Sequence, residues 1–142
     1  MWLALKQVGR NGYLKMIGDD MLLARHLHRL LDGHPDFEAT TQNLSITTFR
    51  YVPADLRPEL GSEEVEAYLN QLTQRLLTAM EKSGEASMSN AVIAGKFVLR
   101  ACVVNFHTSL GDIEALPPLL SRLGKEADKA LGHLRPANVP QL

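Results

Sequence analysis

Cysteine is almost missing from these 142 residues: Cys102 stands alone, so no intramolecular disulfide framework can form. The five histidines do not join with cysteine at the spacing of a zinc site. Neither sign of charge dominates, because fifteen Lys and Arg face sixteen Asp and Glu, for a formal net charge of -1. That balance creates no overall field to draw in nucleic acid or an anionic membrane. Apolar runs are far shorter than a membrane span, and the first residues lack the order of a secretory leader. These absences predict a soluble, cytoplasmic chain with no metal, nucleic-acid or membrane partner. What remains is ordinary: 45% hydrophobic and 22% charged residues, sufficient for one domain with one core.

Periodicity then orders the elements. Residues 2–8 are helix-compatible, Gly9-Arg10-Asn11-Gly12 interrupts them, and a stronger helix is predicted from about 13 to 32. Leu14, Ile17, Met21, Ala24, Leu27 and Leu31 mark its buried stripe. Gly33 is placed for a left-handed cap, and Pro35 stops the helix from resuming. Residues 37–41 alternate and residues 44–52 are β-branched or aromatic, which predicts an antiparallel pair of strands. Ser62 caps a helix whose stripe is Val65, Leu69, Leu72, Leu76 and Met80, with Gly84 at its end. Residues 87–93 and 96–105 read as strands joined by a tight Ala94-Gly95 turn. The second of these is apolar on both faces, so it is expected at the sheet centre with cover on each side. Ile113, Leu116, Leu120, Leu123, Ala127 and Leu131 form a last helix, with Pro117 and Pro118 in its first turn or at a kink. Residues 132–142 read as a loose tail. The fold class is therefore α+β: a small antiparallel or mixed sheet of about four strands covered by helices.

Few residue groupings carry chemistry. His26 and His28, two apart on a helix, point about 200° apart, and His34 and His133 lie beyond helix ends. All four read as surface histidines. Asp19-Asp20 and Glu63-Glu64 read as solvated helix charge, and Cys102 as a small buried hydrophobe within an apolar strand. No G-x-S-x-G surrounds Ser62, Ser87 or Ser109. The G-x-x-G at residues 9–12 has the form of a nucleic-acid clamp, but the next helix presents Asp19 and Asp20, a poor surface for phosphates. It reads as a break between two helices. Arg100, in the middle of the last strand, is the residue that stands out. Either it faces solvent or a nearby acid, or its planar fork anchors a carboxylate.

Lys96-Phe97-Val98-Leu99-Arg100 followed by Val103-Val104-Asn105 resembles a small-domain strand of group II pyridoxal-phosphate-dependent amino-acid decarboxylases. Met1-Trp2 through Gly9 and Gly12 resembles the helix joining that family's two domains. Phe37-Glu38 with Leu44 through Pro53, and Ser89 through Ile93 leading to Gly95, are similar to further small-domain strands. The resemblance spans about residues 1–131. It implies the C-terminal small domain of a fold-type-I enzyme, with residues 1–12 as interdomain helix and break. It also implies that the cofactor lysine, which follows a histidine in the family, lies in a large domain outside this sequence. The six lysines present (Lys6, Lys15, Lys82, Lys96, Lys125 and Lys129) are not preceded by histidine. The resemblance thus implies pyridoxal phosphate, an amino-acid substrate and a homodimer for the complete enzyme. For this chain alone it implies no bound cofactor, no catalytic residue and no activity. Arg100 takes the family's small-domain arginine position, as a substrate-positioning candidate. Asn105 and His107 are weaker candidates beside it.

Overall fold

Ala24, Leu27 and Leu31 line one face of a helix, and in the computed structural model, which describes residues 2–136, that face is fully buried. The helix α1 runs Trp2–Asp32. The expected loop at 9–12 is a single kinked residue: Gly9 alone leaves helical geometry, at φ 67 and ψ 171. Glycine reaches that conformation without a Cβ penalty, so one residue redirects the helix and the coil resumes at once. The predicted stripe is buried only over its second half, since Leu14 and Ile17 are 55% and 53% exposed. Length explains this. A helix of 31 residues extends about 46 Å, whereas a strand of six or seven residues covers roughly 20 Å, so α1 overshoots the sheet. Gly33 does not take the predicted left-handed cap; its amide donates to the Arg29 carbonyl at 3.1 Å in an ordinary closing turn.

Strand β1 (Phe37–Asn43) and strand β2 (Ile46–Tyr51) form the predicted hairpin, with Leu44 at φ 50 in the connecting turn. The pairing slips by one residue between Ala39 and Thr41, a bulge on an edge strand. Helix α2 (Glu63–Ser83) starts where expected, with the Ser62 hydroxyl accepting from Val65 N, and ends at left-handed Gly84. Strands β3 (Ser89–Ile93) and β4 (Lys96–Cys102) are joined through Ala94 and Gly95, at φ 49 and 79, a turn whose twist suits a hairpin. The sheet order is β1-β2-β4-β3 with every neighbouring pair antiparallel. β4 is central, as its apolar run predicts, but it stops at Cys102 rather than reaching residue 105.

Helix α3 (Leu110–Ala130) opens with a reciprocal cap between Ser109 and Asp112. Pro117 and Pro118 therefore sit about two turns inside a continuous helix, neither in its first turn nor between two pieces. The chain after α3 is also held: Gly132–Leu134 make a short 3-10 turn, and Arg135 pairs with Asp55 at 2.6 Å and Asp128 at 3.3 Å. The predicted looseness fails at residues 132–135, while 137–142 lie outside the described residues. No helix among the described residues is long and apolar enough to cross a membrane.

The core lies between the sheet and the three helices: Phe49, Tyr51, Leu99 and Ala101 against Leu27, Leu72, Leu76, Leu120 and Leu123. Phe37 meets the rings of Phe49 and Tyr51 edge-on at 6.0 and 5.9 Å. The core approaches a backbone closely at Gly124 of α3, where an added Cβ would stand 2.5 Å from the Tyr51 ring. That contact predicts that Gly124→Ala destabilises the fold by about 1–3 kcal/mol despite alanine's better helix propensity. Urea unfolding of the two proteins measures the difference, and an unchanged midpoint would show that the ring simply moves aside.

Candidate functional site

Alternation along a strand sends successive side chains to opposite faces. In β2 and β4 it places Thr48, Arg50, Val98, Arg100 and Cys102 away from the core. The helices occupy the other side, where the Thr47 hydroxyl donates to the Ala24 carbonyl at 2.7 Å. No helix among the described residues covers the Arg100 side. The expected cover on both sides of β4 is therefore absent over its second half. Cys102, read as buried, is exposed for the same reason.

Arg100 is exposed on this open face, between Ser89 of β3 and Thr48 of β2 in the strand register. Its Nε donates to Ser89 Oγ at 3.0 Å. No carboxylate pairs with it among the described residues, so the terminal nitrogens keep their donors. Such a fork suits a two-oxygen acceptor approaching the face. Asn105 lies in a loop beyond β4, not at its end; its Oδ1 accepts from His107 N at 3.0 Å and its carbonyl from Thr108 N at 2.8 Å. Asn105 also borders a cleft of about 480 Å³ between the α2–β3 loop and the start of α3. His107 is exposed, its ring 4.1 Å from that of Phe106. No hydrogen bond joins Arg100 to Asn105 or His107, so the three candidates are not assembled into one site by this chain alone.

The same face holds a group that sequence reasoning passed over. Arg50 is fully buried, its Nε donating to Glu38 at 2.5 Å and its terminal nitrogens to Glu66 at 2.6 and 3.0 Å. Lys96 closes the network by donating to the other Glu38 oxygen at 2.8 Å. Burial alone would raise the Glu38 pKa, but the hydrogen bonds from Lys96 and Arg50 outweigh it and hold the carboxyl below its ordinary range. The hydrogen bonds from Arg50 likewise hold Glu66 low, against a smaller opposing effect of burial. Two signals could have found this network: Glu38 pairs with Arg50 in the hairpin register, and Glu66 stands in the first turn of a capped helix.

The histidines remain apart. His26 meets Glu114 at 3.3 Å, while His34 accepts from Asp36 N at 3.1 Å and lies against Phe37. Among the described residues no group of three His, Cys, Asp or Glu could hold a metal ion. The lysines do not fit a pyridoxal-phosphate site either. Lys6, Lys15, Lys82, Lys125 and Lys129 are on the surface, and Lys96 is half-buried and ion-paired to Glu38. A lysine that condenses with an aldehyde needs a free amine within a pocket. Lys125 does line an open cavity beside His34 and Ser121, but its amine lies 3.5 Å from the Asp36 carboxylate.

No family model matches the chain. The chain is 32% identical over 104 residues to tyrosine decarboxylase 2 of Arabidopsis thaliana, covering 72% of this chain and 18% of that protein. It is 27% identical over 127 residues to the aromatic-L-amino-acid decarboxylase of Bacillus atrophaeus, covering 89% of this chain and 25% of that one. In three dimensions it is similar to the crystal structure of mouse CSAD in apo form, with a TM-score of 0.78 and 26% identity over 87% of this chain and 26% of that one. The chain thus spans a quarter or less of the curated relatives named, and it matches their C-terminal region.

Because the folded pKa values of Glu38 and Glu66 are depressed, their contribution to stability is complete above the unfolded carboxylate value of about 4.3 and is lost as pH falls through the folded values. Urea midpoints should therefore fall on acidification below about pH 4.3. Arg50→Met should cost about 2–4 kcal/mol near neutral pH, below the full cost of breaking a buried pair because both carboxylates keep some water. It should also flatten the acid dependence; an equally steep profile in the variant would assign the acid sensitivity to other groups.

Proposed function

This chain is homologous to group II pyridoxal-phosphate-dependent amino-acid decarboxylases, and on that premise we propose that it serves as the small domain of an L-amino-acid decarboxylase. It acts only together with a large domain that carries the cofactor and its lysine. The observation that carries this reading is the unpartnered apolar face of α1. Trp2 and Leu3 are 69% and 82% exposed, and Leu14 and Ile17 continue the exposure past the kink. A stripe that begins in the core and runs on without cover is a surface shaped for a second body. The difference in length from the relatives supplies that body: three quarters or more of their chains have no counterpart here.

In the complete enzyme the open sheet face forms one wall of the substrate cleft. Arg100 is then a positioning residue, its free guanidinium donors holding the substrate carboxylate or a loop that closes over it. The complete enzyme is a cytoplasmic homodimer. Alone, the chain neither holds pyridoxal phosphate nor decarboxylates an amino acid. The exposed α1 residues also favour a second reading, in which the chain works by itself as a self-association domain.

Sedimentation separates the two. A stable, concentration-independent dimer would favour the self-association domain, while a monomer or open-ended aggregation fits a surface awaiting its large domain. Titrating the chain with pyridoxal phosphate should give no saturable visible band of one cofactor per chain; a one-to-one band abolished by substituting a single lysine would overturn the reading. In the complete enzyme, Arg100→Met should lower kcat/KM at least about tenfold. Its thermal midpoint should stay close to that of the unsubstituted enzyme, since surface substitutions usually change stability by no more than about 0.5 kcal/mol. Unchanged turnover would leave Arg100 as a sheet-surface residue.

A further inference from the structure

Arg25, His28 and Arg29 occupy successive turns of α1 beside the edge strand β1, where Gln42 meets them. With Leu22 these side chains line an open groove of about 420 Å³. Its lining contains no acidic residue. Among the described residues neither guanidinium makes a hydrogen bond or ion pair. Arg50, Arg57, Arg122 and Arg135 are each bound to protein oxygens. Arg10 and Arg75 are also without a hydrogen bond among the described residues, so what distinguishes Arg25 and Arg29 is that the two line one groove. Asp32, one turn beyond, pairs with neither Arg25 nor Arg29.

Two like charges four residues apart on a helix repel and cost a few tenths of a kcal/mol. Arg29 lies in the last turn of α1, where the helix dipole favours a cation. That accounts for Arg29 alone. It does not account for Arg25 one turn earlier, or for His28 and Gln42 lining the same concavity, Gln42 with its amide already donating to the Leu44 carbonyl at 2.8 Å. Neighbouring guanidinium forks with unused donors match the several oxygens of a tetrahedral anion, and a bound dianion also relieves their mutual repulsion.

We propose that the groove formed by Arg25, His28, Arg29 and Gln42 is a binding site for a phosphate-class oxyanion. The ligand is a free phosphorylated small molecule or the headgroup of a phospholipid. The site lies on the exposed side of α1 and does not depend on the decarboxylase reading, so either can fail without the other.

The test is a ¹H–¹⁵N NMR titration of the 142-residue chain with sodium pyrophosphate, against sodium chloride at matched ionic strength. Saturable shifts centred on the amides of residues 25–29 and 42, absent with chloride, are expected, with half-saturation in the millimolar range, about 1 mM. R25Q/R29Q should weaken binding at least about tenfold. Because both side chains are exposed, its thermal midpoint checks that the fold is intact. A parallel co-sedimentation with phosphatidylcholine vesicles, with and without phosphatidic acid, separates the sources. Binding to the anionic vesicles without pyrophosphate binding assigns the lipid headgroup, and the reverse assigns a free ligand. Equal shifts with chloride, undiminished binding by the double variant, or binding to neither probe would overturn the proposal.

Discussion

The buried Arg50 guanidinium is the constraint around which this fold is arranged, because arginine cannot shed its charge and must be met by acceptors wherever it is buried. Glu38 meets it from across the β1–β2 hairpin and Glu66 from the first turn of α2. A one-residue slip in the hairpin would move Glu38 to the other face and leave the charge half-satisfied. A shift of α2 would remove Glu66, whose Oε1 also accepts from Gly61 N at 3.2 Å. Lys96 extends the same network to β4. Strand register, helix position and the loop before α2 are thus coupled through one cation at one end of the sheet.

The remainder of the architecture is asymmetric. Three helices share one side of the sheet and produce a core in which Gly124 admits the Tyr51 ring at a distance no other residue would allow. The other side is covered only by its own side chains and, at Arg50, by Glu66 from the first turn of α2. Near Arg50 those side chains suffice, and Thr48 and Val98 are buried with it. Farther along, at Arg100 and Cys102, they do not. The overshoot of α1 creates a second unfinished surface, apolar where the sheet face is polar. The proposed docking onto a larger body would use both kinds: an apolar contact for affinity and a polar face on which a substrate group could be held.

Much of the local structure was legible in the residues themselves. The Ala94-Gly95 turn, the Ser62 cap, the end of α2 at Gly84 and the central place of β4 follow from turn chemistry and alternation, whereas the left-handed cap expected at Gly33 is found at Gly84 instead. The misreadings have specific causes. Pro117 and Pro118 suggested a helix start, but the reciprocal Ser109–Asp112 cap begins α3 seven residues before Pro117 and carries it through both prolines. Gly9 was one residue of a longer glycine motif, and a single residue sufficed for the kink. Arg100 drew notice because it interrupts an apolar run. Arg50 sits in just such a run, between Phe49 and Tyr51, and is the arginine that is buried and fully paired.

By itself, the sequence determined the order of the elements, the antiparallel β1–β2 hairpin, the tight β3–β4 turn and the family likeness, since these depend on residues close together along the chain or on motifs preserved in order. Only the tertiary structure decided which side of β4 is covered, where α1 runs out of sheet, and which arginine meets its acids. Those are relations across space: Glu38 and Glu66 lie 12 and 16 residues from Arg50, and no local periodicity registers that distance. The basic groove on α1 was hidden for the same reason, since Gln42 approaches Arg25 and Arg29 only when the edge strand folds back beside the helix.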